Sequence, residues 1–119
     1  MTTQGSAYSR LRRALDTRNA TIALAAAADL DHVGLSEALE LCLLIAGHEP
    51  GRFERAALRW HGRYCHEIHD VGLAEAQAVL ACLAALGGSR GEAAAHALAD
   101  LVYRRGMEGA CEALNRWRA

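Results

Sequence analysis

The chain has 119 residues, enough for one domain with a buried core of its own. Hydrophobic residues make up 52% of the sequence and aromatic residues only 5%, so the strong helix formers alanine and leucine supply most of the apolar surface. The formal net charge of −1 excludes a general electrostatic attraction to nucleic acid or to an anionic membrane. Because runs rich in valine, isoleucine and threonine are also absent, the composition predicts an all-α fold.

Capping residues and the helical spacing of apolar side chains predict seven helices in a single domain. They lie at about residues 6–16, 20–30, 35–46, 50–68, 73–86, 89–105 and 107–117. Ser6, Asn19 and Ser89 are predicted N-cap residues, and Pro50 stands in a first turn, where its missing N–H costs nothing. The second helix is almost entirely Ala, Ile and Leu and is therefore expected to be buried.

A short segment is repeated along the chain. Residues 33–38 read VGLSEA, residues 71–76 read VGLAEA, and residues 106–110 read GMEGA, a degraded third copy. In each copy the Gly is a predicted N-cap, and the Glu that follows is expected to reach back to its free N–H as in a capping box. The copies predict three stacked helix–turn–helix units, which follow an N-terminal helix at 1–18 and span residues 19–47, 50–86 and 89–117.

This period and layout resemble those of helical-repeat proteins of the solenoid type, in which each unit contacts only its neighbours. The resemblance is architectural and covers about residues 19–117. It implies an elongated stack with an extended face for a partner. The alternative is a compact, irregular helical bundle.

The predicted fourth helix sorts its side chains into three faces at about 100° per residue. One face is aromatic and is expected in the core; it consists of Phe53, Ala57, Trp60 and Tyr64. If the rings were exposed instead, they would form a platform on which bases stack. The second face carries four arginines and the third carries histidine and cysteine.

The arginine stripe consists of Arg52, Arg55, Arg59 and Arg63. Four like charges on one helix face repel each other unless something offsets them. The stripe is therefore a candidate ridge for an acidic partner protein or for the phosphates of RNA or DNA. The alternative is that the stripe is solvated or is paired within the chain, with Glu37, Glu40, Glu75 and Asp100 as available partners.

The third face places His61, Cys65 and His69 at i, i+4 and i+8. Zinc accepts His and Cys ligands, and an i, i+4 pair on a helix is a known ligand arrangement, so these residues are a candidate metal site. There is no CxxC, no HExxH and no second cluster at the distance of a zinc finger. The alternative is a histidine-rich helix end that holds no ion.

All 13 basic residues are arginines, and they occur in blocks. Residues 1–18, 52–66 and 101–119 are basic, whereas residues 19–51 and 67–100 are acidic. The absence of lysine reflects either a GC-rich genome or selection for bidentate contacts to carboxylate and phosphate groups. Alternating blocks favour docking between surfaces of opposite charge.

Neither a signal peptide nor a membrane-spanning stretch is recognisable, and four cysteines without a secretion signal are expected to be reduced thiols. We therefore expect a cytoplasmic protein that is not associated with a membrane. No Walker loop, nucleophile elbow, dinucleotide fingerprint or paired-carboxylate arrangement is present, so neither an enzyme nor a bound cofactor is expected.

The sequence favours a small helical-repeat module for protein interaction, an adaptor or regulator that docks a protein partner or its own copy. The first alternative is a nucleic-acid-binding regulator that contacts phosphates through Arg52, Arg55, Arg59 and Arg63. The second is a metal-dependent enzyme or sensor built on His61, Cys65 and His69.

Overall fold

A computed structural model of the chain describes residues 3–117. Within this range the chain folds into α1 (Thr3–Asp16), α2 (Ala20–Ala28), α3 (Leu35–His48), α4 (Pro50–Glu67), α5 (Leu73–Ala85), α6 (Gly91–Arg104) and α7 (Glu108–Asn115), and it contains no β-strand. The predicted all-α class is confirmed. No helix in the described range is long and apolar enough to cross a membrane.

The predicted starts of α2 and α4 are confirmed. Asn19 Oδ1 accepts a hydrogen bond from the Ile22 N–H at 3.1 Å, and Pro50 opens α4. Three predicted caps are wrong, namely Ser6, Ser89 and Gly106, whose place before α7 is taken by Met107. The first helix begins at Thr3, so Ser6 lies inside it, and the N-cap of α6 is Arg90 instead of Ser89.

The helices pack in pairs, and the last helix of the described chain also contacts α3. The most extensive contacts join α1 to α2, α3 to α4, and α6 to both α5 and α7, while α7 also packs against α3. In a linear stack each unit touches only its neighbours, so the contact of α7 with α3 is one that the stack does not make. The division into stacked units at 19–47, 50–86 and 89–117 is not confirmed.

The main core lies between α3, α4, α5, α6 and α7, and a smaller cluster joins α1 to α2. Trp60 and Tyr64 are buried in the main core, with ring centroids 5.2 Å apart, and the Trp60 indole donates to the Leu35 carbonyl oxygen at 2.9 Å. The aromatic face of α4 is therefore a packing face. The second helix is less buried than expected, since Ile22 is about half exposed.

The repeated segments precede helix pairs. Gly34 is the N-cap of α3 and Gly72 is the N-cap of α5, as predicted, whereas the third copy has Met107 at the N-cap of α7. Each of the first two segments is also held by an arginine in or directly after the second helix of its pair. Arg63 of α4 donates to the Val33 carbonyl oxygen at 2.7 Å. Arg105, which directly follows α6, donates to the Glu75 carboxylate within the second segment and to the His69 carbonyl oxygen just before it. The repeat therefore marks the start of a pair, α3–α4 or α5–α6, and not the turn within one.

The N-terminal end of α7 is pressed against α3. The Ala110 N–H donates to Ser36 Oγ at 2.9 Å, and a Cβ on Gly109 would stand only 2.9 Å from Glu40 Oε2. A Cβ at position 109 would therefore force the Glu40 carboxylate to shift, so close approach and not backbone conformation favours glycine there. This contact joins residues 74 positions apart in the sequence and adds α7 to the helices that pack against α3.

Candidate binding groove

A groove of about 650 Å³ runs between α4 on one side and α2 and α3 on the other. Its floor and far wall are apolar and consist mainly of Leu24, Val33, Ala38, Leu41, Ile45 and Ala56. Its near wall carries all four arginines of the stripe, Arg52, Arg55, Arg59 and Arg63. We call this feature the arginine groove. Neither wall carries an Asp or a Glu among the lining residues.

The four arginines differ in whether they have partners. At the ends of the stripe, Arg52 pairs with Glu49 at 3.1 Å and Arg63 pairs with Glu67 at 2.7 Å. In the centre, Arg55 and Arg59 are exposed and make no ion pair or hydrogen bond within residues 3–117. The groove thus presents two free guanidinium groups about one helical turn apart beside an apolar floor.

The acids proposed as internal partners of the stripe are engaged elsewhere or lie apart from it. Glu40 binds Arg12 and Glu75 binds Arg105. Glu37 folds back over Gly34, since its Oε1 is 2.6 Å from the position of a Cβ on that glycine. Asp100 is exposed on α6 and makes no salt bridge in the described part of the chain. Within residues 3–117, the acids bonded to the stripe come from α4 itself or its N-cap.

Cys42 lies in the floor of the groove and is 6% exposed. Burial raises the pKa of the Cys42 thiol to about 11, although the nearby charges of Arg59 and Arg63 act in the opposite direction. The thiol therefore stays neutral at physiological pH and contributes to the apolar floor as a small hydrophobic group.

The candidate metal ligands are only partly brought together. Cys65 Sγ lies 3.7 Å from His61 Nε2, but the His61 Nε2 also bonds the Ala76 carbonyl oxygen at 2.8 Å and must carry a proton to do so. Because α4 ends at Glu67, His69 does not continue the stripe; its side chain is 94% exposed beside Asp70. In the described range no group of three or more His, Cys, Asp or Glu side chains is placed to hold a metal ion.

A second polar cluster joins α4, α5 and the end of α6. The buried Tyr64 hydroxyl donates to Glu75 Oε2 at 2.5 Å, and Arg105 donates to both carboxylate oxygens of Glu75. These bonds from Arg105 and then Tyr64 hold the pKa of Glu75 below its ordinary value, whereas burial raises the pKa of Tyr64 to about 12. The sequence predicts Glu75 as a capping residue and as a partner of the arginine stripe, but it does not predict this cluster. Its only sequence signal is an arginine directly after α6.

No family model, curated protein or solved structure matches the chain. The geometry and the charge of the groove itself indicate which ligand it can bind. An apolar floor, one wall of positive charge and two unpaired guanidinium groups suit a ligand that is both apolar and acidic.

Reversing the two central charges is expected to stabilise the free chain. In Arg55→Glu with Arg59→Glu, the repulsions of these positions with Arg52 and Arg63 become attractions at i, i+3 and i, i+4 spacing, each contributing about 0.2–0.5 kcal/mol. The melting temperature followed by circular dichroism should rise by a few degrees in low salt, and the gain should shrink in high salt. A lower melting temperature would mean that the two arginines support the fold.

Proposed function

We propose that the chain is a small cytoplasmic protein-interaction module, an adaptor or regulator without catalytic chemistry of its own, and that the arginine groove docks an acidic segment of a partner protein. The observation that carries this proposal is the pair Arg55 and Arg59, which lie beside an apolar floor and have no partner in the described part of the chain. Repulsion along α4 is a cost to the free chain, and a bound acidic partner offsets it.

The apolar floor favours a protein partner over a nucleic acid. Phosphate contacts need positive charge but no extended apolar surface, whereas protein interfaces combine an apolar centre with charged groups at the rim. Acids also stand at both ends of the stripe, where Glu49 pairs with Arg52 and Glu67 pairs with Arg63. These acids repel a continuous phosphate backbone but leave room for separate carboxylates.

The arginines favour specificity for carboxylates. A guanidinium group donates two parallel hydrogen bonds to one carboxylate, and such charge-assisted bonds contribute about 1.5–3 kcal/mol each when the site is desolvated. The floor residues exclude water from the groove once it is covered. Two arginines together therefore supply enough binding energy to decide whether a partner is retained.

The test is capture of partners from the native host by the tagged chain at moderate salt, with and without nuclease. Three baits are compared: the wild type, Arg55→Glu with Arg59→Glu, and the matched control Arg90→Glu with Arg104→Glu. The control makes the same change in net charge at exposed positions away from the groove, at the two ends of α6, where its effects on the helix dipole offset each other.

We expect a protein that the wild type and the control retain equally, that survives nuclease, and that the groove variant loses by at least about tenfold. The recovered partner is then purified and its Kd measured against all three baits. Equal Kd values would exclude the groove as the binding site. Recovery dominated by nucleic acid, lost with nuclease and with the groove variant, would instead support the regulator that contacts phosphates.

A further inference from the structure

We propose that the segment bound by the arginine groove is an amphipathic α-helix of the partner, with apolar side chains on the face toward the floor and acidic side chains one turn apart on the edge toward α4. This inference rests on the proposed function and names the class of partner segment. It follows from the shape of the groove, from the state of the backbone in its walls and from the position of its charges.

The lining residues trace one face of each wall helix. On α3 they include Ala38, Leu41 and Ile45, at spacings of three and four, and on α4 they extend from Arg52 to Arg63. Eleven residues of helix correspond to about 16 Å, or about three turns. A volume of about 650 Å³ is much larger than one side chain needs, and a groove of this length takes one face of a helix of similar length.

The walls offer no backbone partners to a bound peptide. The lining residues lie in helices, apart from Val33, whose carbonyl oxygen already accepts from Arg63 at 2.7 Å. An extended peptide on this floor would bury N–H and C=O groups without hydrogen bonds, a cost of several kcal/mol in general terms. A helix bonds its own backbone internally and presents only side chains, so the groove selects a helix over a strand.

The charges define the orientation of that helix about its own axis. Arg55 and Arg59 are one turn apart on the near wall, and the far wall carries no charged lining residue. Carboxylates at i, i+4 on the partner helix lie one turn apart as well, so each can meet one guanidinium group. Acids on the opposite edge would face Leu24 and the other apolar side chains of the far wall and would lose hydration without a partner.

The test uses two displayed peptide libraries of equal composition and length. In the first, apolar residues are fixed at i, i+3, i+4 and i+7, the pattern of a helix, and in the second they alternate, the pattern of a strand. The other positions are random in both. Both libraries are selected on the immobilised wild type, and the selected peptides are measured by fluorescence anisotropy against the wild type, Arg55→Glu with Arg59→Glu, and the control Arg90→Glu with Arg104→Glu.

We expect enrichment from the helical library, with Asp or Glu four residues apart on one flank of the apolar stripe. Selected peptides should gain helical circular dichroism on binding, bind the groove variant at least about tenfold more weakly, and bind the control as they bind the wild type. Enrichment from the alternating library alone, peptides without paired acids, equal affinity for the groove variant, or no enrichment at all would each overturn the inference.

The two proposals fail in different ways. If the native partner is lost from the groove variant but the helical library yields no acidic binders, the groove is a docking site for another kind of segment and only this inference is wrong. If native capture is the same for all three baits, the proposed function is wrong, whatever the libraries yield.

Discussion

Replacing Arg12 with methionine is expected to lower the free energy of unfolding by about 3 kcal/mol. Two nitrogens of the guanidinium group donate to the two oxygens of Glu40, at 3.0 and 2.8 Å, and the Glu40 side chain is only 6% exposed. Methionine leaves that carboxylate buried without its counter-charge. Breaking a buried pair costs about 3–5 kcal/mol, and the lower end applies because the Arg12 side chain is itself 33% exposed.

The matched control is Arg10→Met on the same helix. Arg10 pairs with Asp29 at 3.0 Å, but both side chains are more than half exposed, so the loss should stay below about 1 kcal/mol. Combining Arg12→Met with Glu40→Leu should recover most of the stability, because the buried charge is then removed as well. Urea unfolding followed by circular dichroism measures the wild type, the single variants Arg12→Met, Glu40→Leu and Arg10→Met, and the double variant. If the double variant lost as much unfolding free energy as Arg12→Met and Glu40→Leu lose together, the two residues would not act as a pair.

The second large effect is expected at the cluster of Tyr64, Glu75 and Arg105. Glutamine at position 75 has one acceptor oxygen where glutamate has two, so its NH2 group must face at least one of the donors that now bond the carboxylate. Hydrogen bonds to a charged group contribute about 1.5–3 kcal/mol, and we expect a loss of about 2 kcal/mol at neutral pH. Position 37 supplies the control, since Glu37 occupies the same place in the other copy of the repeat and forms no ion pair in the described range. Because glutamine also serves in a capping box, Glu37→Gln should change stability little.

The difference between the wild type and Glu75→Gln should depend on pH in a defined direction. The pKa of Glu75 in the folded chain lies below its ordinary value of 4.5, so the stability it contributes is fully present above that value. It is lost as the pH falls through the folded-state pKa, and the two unfolding free energies should converge in that acid range. A difference that stays constant from neutral to acid pH would show that the charge of Glu75 does not stabilise the fold.

The starts of four helices could be predicted because their determinants lie within a few residues. Each start depends on the residue at or next to the N-cap and on the turn that follows, and this local geometry is the same in any fold. The four residues are Asn19, Gly34, Pro50 and Gly72. The ends of the helices are harder to predict than their starts. The third stripe of α4 was extended to His69, but Asp70 takes a φ of 63°, which a helix does not allow, and α4 has already ended at Glu67.

The pairing of the acids could not be predicted, because it depends on which helices become neighbours. Glu40 binds an arginine 28 residues away and Glu75 binds one 30 residues away, and several arginines were equivalent candidates in the sequence. The arginine stripe was found from its spacing alone. The groove beside it was not, since α3 is apolar on more than one face and its periodicity does not tell which face packs inward and which lines the groove.

The contact between α7 and α3 has a consequence for how the protein is made. The Ser36 hydroxyl meets the N–H of Ala110, so the helix that forms the apolar wall of the groove acquires one packing partner from α7, which leaves the ribosome after all the helices of the groove. A nascent chain that has emerged only as far as α6 already contains α2, α3 and α4, which form the groove, but it lacks the contact of α7 with α3. Partner recognition is therefore expected only after α7 has been synthesised and has packed against α3.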